Sequence, residues 1–337
     1  MNTIVAKVAI KSKINILILM FLIFVSIRLS VEPSRIFDYA QYIINSDTIE
    51  DLTFDQIIRY EPLSSGLFAF FRLITENAAD SISAYQYALT TFFLVSFTLL
   101  VLKSEVEWQG ALLVLGLYGA LMAFVTLRAT PAIFFVLLAL SQAAKGNWRC
   151  VLSCAVAVAF HISSLFVIPA IAMAFLQNRF IRWQYFFSLS RLIKLIYFGI
   201  IFLGLLADQI VKVFAVSAIN LLPDEYKKYL SYFDNIGFGV SSAHYVYFAC
   251  ITLIVWFYLN SENEKYVRYR GYILVSYFTF CAMFISPVIA FRQSLFWTIP
   301  IIIFYPWSAL KNIKSFNIFI VILSVCLMAF SFKYIIQ

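Results

Sequence analysis

The chain has 337 residues, of which 63% are hydrophobic and 12% charged, with a formal net charge of +8. A water-soluble protein carries roughly twice that charged fraction, so the composition excludes a soluble globular enzyme and points to an integral membrane protein. In hydrocarbon the backbone must satisfy itself within each segment, and the long apolar runs here do so as α-helices.

The predicted elements begin with residues 14–31, "INILILMFLIFVSI" and its flanks, preceded by Lys7, Lys11 and Lys13. The shape is that of a secretory signal, but no small-x-small cleavage site follows and Arg28 interrupts, so it is read as an uncleaved first membrane helix. Residues 32–83 form a large external loop. Within it "TIEDLTFDQIIRY" sets Ile49, Leu52, Ile57 and Ile58 roughly on one helical face, the pattern of a short helix lying on the membrane. "PLSSGLFAFFRLI", 62–74, is too short and too polar at its ends to span, and is read as dipping into the membrane.

Further spans are predicted at 84–103, 109–127, 131–144, 149–161, 164–177, 195–213, 244–260, 271–290, 295–309 and 315–333. Those between 128 and 177 are shorter than the ~20 residues of a full crossing, a row of short helices with tight apices. A second external loop, 214–243, carries Tyr226, Tyr229, Tyr232 and Phe233 at helical spacing before Gly237 and Gly239 break the pattern. The expectation is an all-α polytopic protein with about eleven spans and one dipping helix. No Gly/Ser linker, repeat or low-complexity tract divides it, so residues 1–337 read as one membrane domain.

Placing the N-terminus in the cytoplasm puts fifteen of the 25 Lys and Arg inside and thirteen of the 17 acidic residues outside. The Lys/Arg excess is the part that sets orientation, and it agrees. The positive charge therefore reads as cytoplasmic anchoring, and no nucleic-acid partner is expected. The cysteines, Cys150, Cys154, Cys250, Cys281 and Cys326, show no CxxC or Cys/His spacing, so neither a disulfide framework nor a metal site is expected.

In this topology the unusual polar groups face the outer side. His161, in "AVAVAFHISSLFVIP", lies at an apex between two short helices. It is either a structural imidazole bonded to Ser163, Ser164 or a carbonyl, or a general base or phosphate donor. Arg128, before a helix begun by Pro131, and Arg292, between two apolar helices, either snorkel to headgroups or hold a diphosphate. Asp38, with Tyr39 and Tyr42, and Glu61, with Tyr60, supply carboxylates beside rings, a pairing suited to binding or deprotonating sugar hydroxyls. Lys227 and Lys228 are candidate contacts to a lipid diphosphate, or the polar face of an interfacial helix.

The ordered set "DYxxY" (38–42), "YEPL" (60–63), "LRATPA" (127–132), "AFHISSL" (159–165) and "FRQSLFW" (291–297) resembles the EpsG-like family of bacterial polysaccharide polymerases, small relatives of the O-antigen polymerase Wzy. Where that family has Arg-Gln, this chain has Arg128 followed by Ala129. The resemblance implies a glycosyltransferase of GT-C architecture in the bacterial inner membrane, working at the outer leaflet without a cofactor. Its donor and acceptor would be undecaprenyl-diphosphate-linked oligosaccharides, with a flippase and a chain-length regulator as further partners. The base stays open among His161, Glu61 and Asp38. Two other functions compete. A flippase for the same lipids should carry polar groups along a path to both faces, and a membrane O-acyltransferase would also centre on a histidine.

Overall fold

Hydrophobic runs broken by Pro, Gly and short polar apices make helices, and the described residues of the computed structural model are built from them. It describes residues 61–102, 106–126, 128–188, 190–221, 242–260, 267–284, 287–305, 307 and 316–335, with isolated helical positions between 15 and 25. Among the described residues there is no strand. In chain order the helices are α1 (Pro62–Ile74), α2 (Ala78–Leu102), α3 (Trp108–Val114), α4 (Ala129–Ala143), α5 (Cys150–Phe160), α6 (Ile168–Arg179) and α7 (Ile181–Ser188). They continue as α8 (Ser190–Asn220), α9 (Ser242–Asn260), α10 (Arg270–Ala282), α11 (Pro287–Phe304) and α12 (Phe316–Ile335).

Two stretches among the described residues, Ala79–Leu100 and Ile162–Arg179, are long and apolar enough to cross a bilayer. A third forms if Ile181–Phe187 and Arg191–Leu203, bent by 75°, count as one broken span. The row of short helices expected between 128 and 177 is present as α4, α5 and α6. Several boundaries move. The expected 84–103 helix begins at Ala78, and the one expected at 195–213 runs to Asn220, each taking residues from an expected loop. The 164–177 helix starts with a 3-10 turn, Ile162–Val167, whose tighter winding lets the chain turn sharply after His161. The 109–127 helix is α only as far as Val114 and continues as two π-helical stretches, Leu115–Gly119 and Leu121–Val125.

The chain divides into two compact units. The first comprises Met1–Phe135, Ala155–Ser163 and Ile299–Gln337. In it α1 packs on α2 through Phe68, Ile82, Tyr85 and Leu89, with Phe68 edge-on to Tyr85 at 5.1 Å between ring centres. The Ser64 and Tyr85 hydroxyls meet at 2.6 Å beside that cluster. The π-wound segment passes against α12 so closely that a Cβ on Gly116 would lie 2.6 Å from the Ser324 carbonyl oxygen. Small residues let helix backbones approach in this way where hydrocarbon gives no hydrophobic drive to associate.

The second unit comprises Val136–Cys154 and Ser164–Thr298. Its helices are tied at one end by side-chain-to-backbone bonds. The Gln177 amide donates to the Val267 carbonyl and accepts from the Gly271 N–H, and buried Arg270 donates to the Phe187 carbonyl at 2.8 Å. Tyr277, Phe280 and Trp297 pack ring on ring in its interior.

The glycine contacts generate a paired expectation. Gly116→Ala forces two backbones apart and should destabilise the protein by about 1–3 kcal/mol. Gly66→Ala, in α1 with nothing within 4 Å of the new methyl, should be neutral or stabilising by up to about 1 kcal/mol. Melting temperatures in detergent compare the two directly.

Candidate functional site

Glu61 is the N-cap of α1, and among the described non-glycine residues it alone has a positive φ, at φ 88 and ψ 70. The next residue, Pro62, explains part of this. Its ring is preorganised for the first helical position but disfavours the right-handed α conformation in the residue before it. A left-handed non-glycine residue costs about 1–3 kcal/mol and persists only where its surroundings over-determine it. Glu61 makes no side-chain cap on its own helix. Its carboxylate goes inward, and the residue is only 7% exposed.

Three donors meet that carboxylate. Oε1 accepts from the His161 Nδ1–H at 2.5 Å and from the Ile162 backbone N–H at 3.2 Å. Oε2 accepts from an Arg128 guanidinium N–H at 3.2 Å. Local structure delivers each one. His161 stands where α5 ends and the 3-10 turn begins, its own N–H still bonded to the Ala157 carbonyl at 2.9 Å. That break turns the Ile162 N–H out of the helical ladder and toward Glu61. Arg128 occupies the turn between the π-wound segment and α4. Four phenyl rings, Phe92, Phe134, Phe135 and Phe160, pack together on the helices flanking the site, with Phe135 stacked on Phe160 at 5.9 Å.

Burial pushes the Glu61 carboxyl up. The His161 hydrogen bond, the charges of His161 and Arg128 and the Ile162 N–H outweigh it, so the group is held below its ordinary value of 4.5. Glu61 is therefore the ionised acceptor and His161 the donor. With Nδ1 turned to Glu61, Nε2 is the ring nitrogen that can exchange a proton with another group. The His161 side chain is 21% exposed and that of Arg128 44%, against 7% for Glu61. The arrangement is thus a buried carboxylate that orients a more accessible imidazole and guanidinium.

Of the residues the sequence singles out, the fold brings Glu61, Arg128 and His161 together across 67 and 100 positions. The His161 Nδ1 atom bonds to Glu61, 100 positions away in the chain. Pro131 does not open the helix after Arg128, which begins at Ala129. Arg292 is not at an apex either. The preceding helix ends at Ala282 and Arg292 lies inside α11, because Pro287, not the arginine, starts that helix. Its side chain, and Asp38, Tyr39, Tyr42, Tyr60, Lys227 and Lys228 entirely, lie outside the described residues. The Ile162 N–H went unpredicted, since a backbone donor leaves no mark in the residue types. Glu61's left-handed backbone had a partial signal in the proline after it.

Among the described residues there is no group of three or more His, Cys, Asp or Glu positioned to hold a metal ion. The fold and site together define a helical membrane protein with a carboxylate-held histidine and arginine. The sequence profile of the EpsG family matches residues 13–337, so the chain belongs to the EpsG family. No curated protein and no solved structure matches it.

Glu61→Gln keeps the shape but removes the charge, and should lower stability by about 1–3 kcal/mol, the scale of a buried group losing charged partners. The folded carboxyl holds its proton less tightly than the unfolded chain's. The stabilisation is therefore complete above about 4.5 and drains away as the pH falls further. Melting temperature against pH should show that acid limb in the wild type and a flatter one in Glu61→Gln.

Proposed function

We propose that this EpsG-family protein is a polysaccharide polymerase, a glycosyltransferase that joins lipid-diphosphate-linked oligosaccharide repeat units at the outer face of the bacterial inner membrane. The observation that carries the reading is the single carboxylate of Glu61, which holds an imidazole by one oxygen and a guanidinium by the other. Glycosyl transfer from a diphosphate needs both a proton acceptor and a positive group for the departing anion.

In this mechanism His161 Nε2 takes the proton from a hydroxyl on the acceptor repeat unit. The acceptor oxygen bonds to the anomeric carbon of the donor glycan as the bond from that carbon to the lipid diphosphate breaks. The electron pair of that bond leaves with the diphosphate, and Arg128 offsets the developing charge. Glu61 orients both residues and keeps the imidazole in the tautomer whose lone pair faces outward from the pair. No nucleotide sugar takes part, because the lipid diphosphate is itself the activated leaving group. The GT-C architecture, the eleven-span count, the cytoplasmic N-terminus, and the roles of Asp38, Arg292, the tyrosines and the loop lysines belong to the same proposal.

The decisive measurement is whether purified protein lengthens lipid-linked repeat units with neither ATP nor nucleotide sugar present. Elongation supports the polymerase. Movement of the lipid between leaflets without elongation supports a flippase, and acyl transfer supports the third class. His161→Ala should cut elongation at least about 100-fold, the scale of a lost general base, in a folded, inserted protein. His161→Gln, which can donate but cannot take a proton, should fail as well. Arg128→Lys should fail nearly as badly as Arg128→Ala, since a point charge does not replace the guanidinium fork.

Orientation has its own check. In a cysteine-free background, an impermeant thiol reagent added from outside should label a cysteine placed at Ser46 and spare one placed at Ser188. The reverse pattern inverts the topology.

A further inference from the structure

Arg128 reaches Glu61 from an irregular piece of backbone. The two π-helical stretches, Leu115–Gly119 and Leu121–Val125, close with the Thr126 N–H bonded five residues back to the Leu121 carbonyl at 2.8 Å. Thr126 then leaves helical geometry at φ −87 and ψ 46, and α4 starts at Ala129. A π turn holds an extra residue, and one residue of helix is about 100° of rotation. The direction in which Arg128 leaves the chain is therefore set by how this wide segment ends and how α4 takes over.

Two buried hydroxyls hold that junction. Thr130, 1% exposed in the first turn of α4, shares its proton between the Met122 carbonyl at 2.6 Å and the Thr126 carbonyl at 3.0 Å. Thr90, 4% exposed on α2, donates to the Ala123 carbonyl at 2.8 Å. Met122 and Ala123 are in the last π stretch, so both threonines bind carbonyls at the end of the widened segment. The same α2 carries Tyr85, whose hydroxyl meets Ser64 in the first turn of α1, directly after Glu61. One helix thus fixes the arms that bring both Glu61 and Arg128 to their meeting point.

We propose that Thr130 and Thr90 are positioning residues for the proposed transfer: by binding the carbonyls of the π-wound segment they set the rotation at which Arg128 meets Glu61. Neither threonine reaches the carboxylate itself. Each acts through the backbone that carries Arg128, and loss of the hydroxyl lets that backbone relax toward an ordinary helix and swings the guanidinium away. The consequence for glycosyl transfer rests on the polymerase reading above; the structural claim does not.

The test uses the full-length protein in detergent and exploits its two histidines, His161 and His244. With 15N-labelled histidine, the ring signals of His161, assigned by their survival in His244→Gln, report on Glu61 without any activity. Arg128→Gln should move them by removing the cation from the shared carboxylate. Thr130→Val, the same shape without the hydroxyl, should move them in the same direction, and the double variant should go no further than Arg128→Gln alone. Thr130→Ser should restore the wild-type position. In the elongation assay Thr130→Val should lower kcat for the lipid-linked donor about 10-fold with KM changed far less, the pattern of a lost transition-state contact to the departing diphosphate.

A folded Thr130→Val protein with wild-type His161 signals overturns the proposal. If that variant does not fold, Thr90→Val is put through the same measurement, and unmoved signals there overturn it equally. If the wild type does not elongate lipid-linked repeats, the polymerase reading falls by itself, and the histidine signals still decide whether the threonines place Arg128.

Discussion

The organisation of the first unit turns on one buried carboxylate. Glu61 is almost removed from solvent, and an ionised group in that position is tolerable only if its oxygens are saturated with donors. The donors come from three places in the chain: the turn before α4, the end of α5, and the backbone just beyond it. Each must arrive for the others to be worth having, because removing one partner leaves buried charge exposed to the full desolvation cost. The carboxylate therefore acts as a tie between segments 67 to 101 residues apart.

The tie is made at the expense of local comfort. Glu61 adopts a backbone conformation that L-residues avoid, the π-wound segment departs from the best helical hydrogen-bond geometry, and the chain after His161 tightens into a 3-10 turn. All three irregularities converge on the segments that supply the Glu61 contacts. In the same unit α1 and α2 pack through ordinary apolar contacts such as Phe68 on Tyr85. Irregular backbone needs its polar groups satisfied by protein where water is scarce, and the hydroxyls of Thr90 and Thr130 do that here.

Geometry also separates the roles of the three side chains. The carboxylate is the most buried and the guanidinium the least, with the imidazole between. A group that must meet a bulky glycan or a diphosphate has to be reachable, whereas a group that orients others works best out of solvent. On that ground Glu61 suits the orienting role, and His161 and Arg128 suit contact with the lipid-linked substrate in the proposed polymerase.

The sequence by itself determined the helical membrane class, the short helices after Arg128, and the candidacy of Glu61, Arg128 and His161. Those properties are written in composition, in run length, and in the rarity of ionisable residues beside apolar runs. It also carried the family resemblance, through "YEPL", "LRATPA" and "AFHISSL". It misplaced Arg292, because a run such as "SPVIAFRQSLFW" shows that an arginine interrupts apolar residues and not whether the helix breaks there. Only the tertiary structure decided that Glu61 serves His161 and Arg128 at once, and that a backbone N–H at Ile162 completes the set. Likewise the π turns and the threonines that hold them have no one-dimensional signature. A hydrogen bond between residues a hundred positions apart depends on where separate helices end and how they are rotated, and that is settled by packing rather than by residue type.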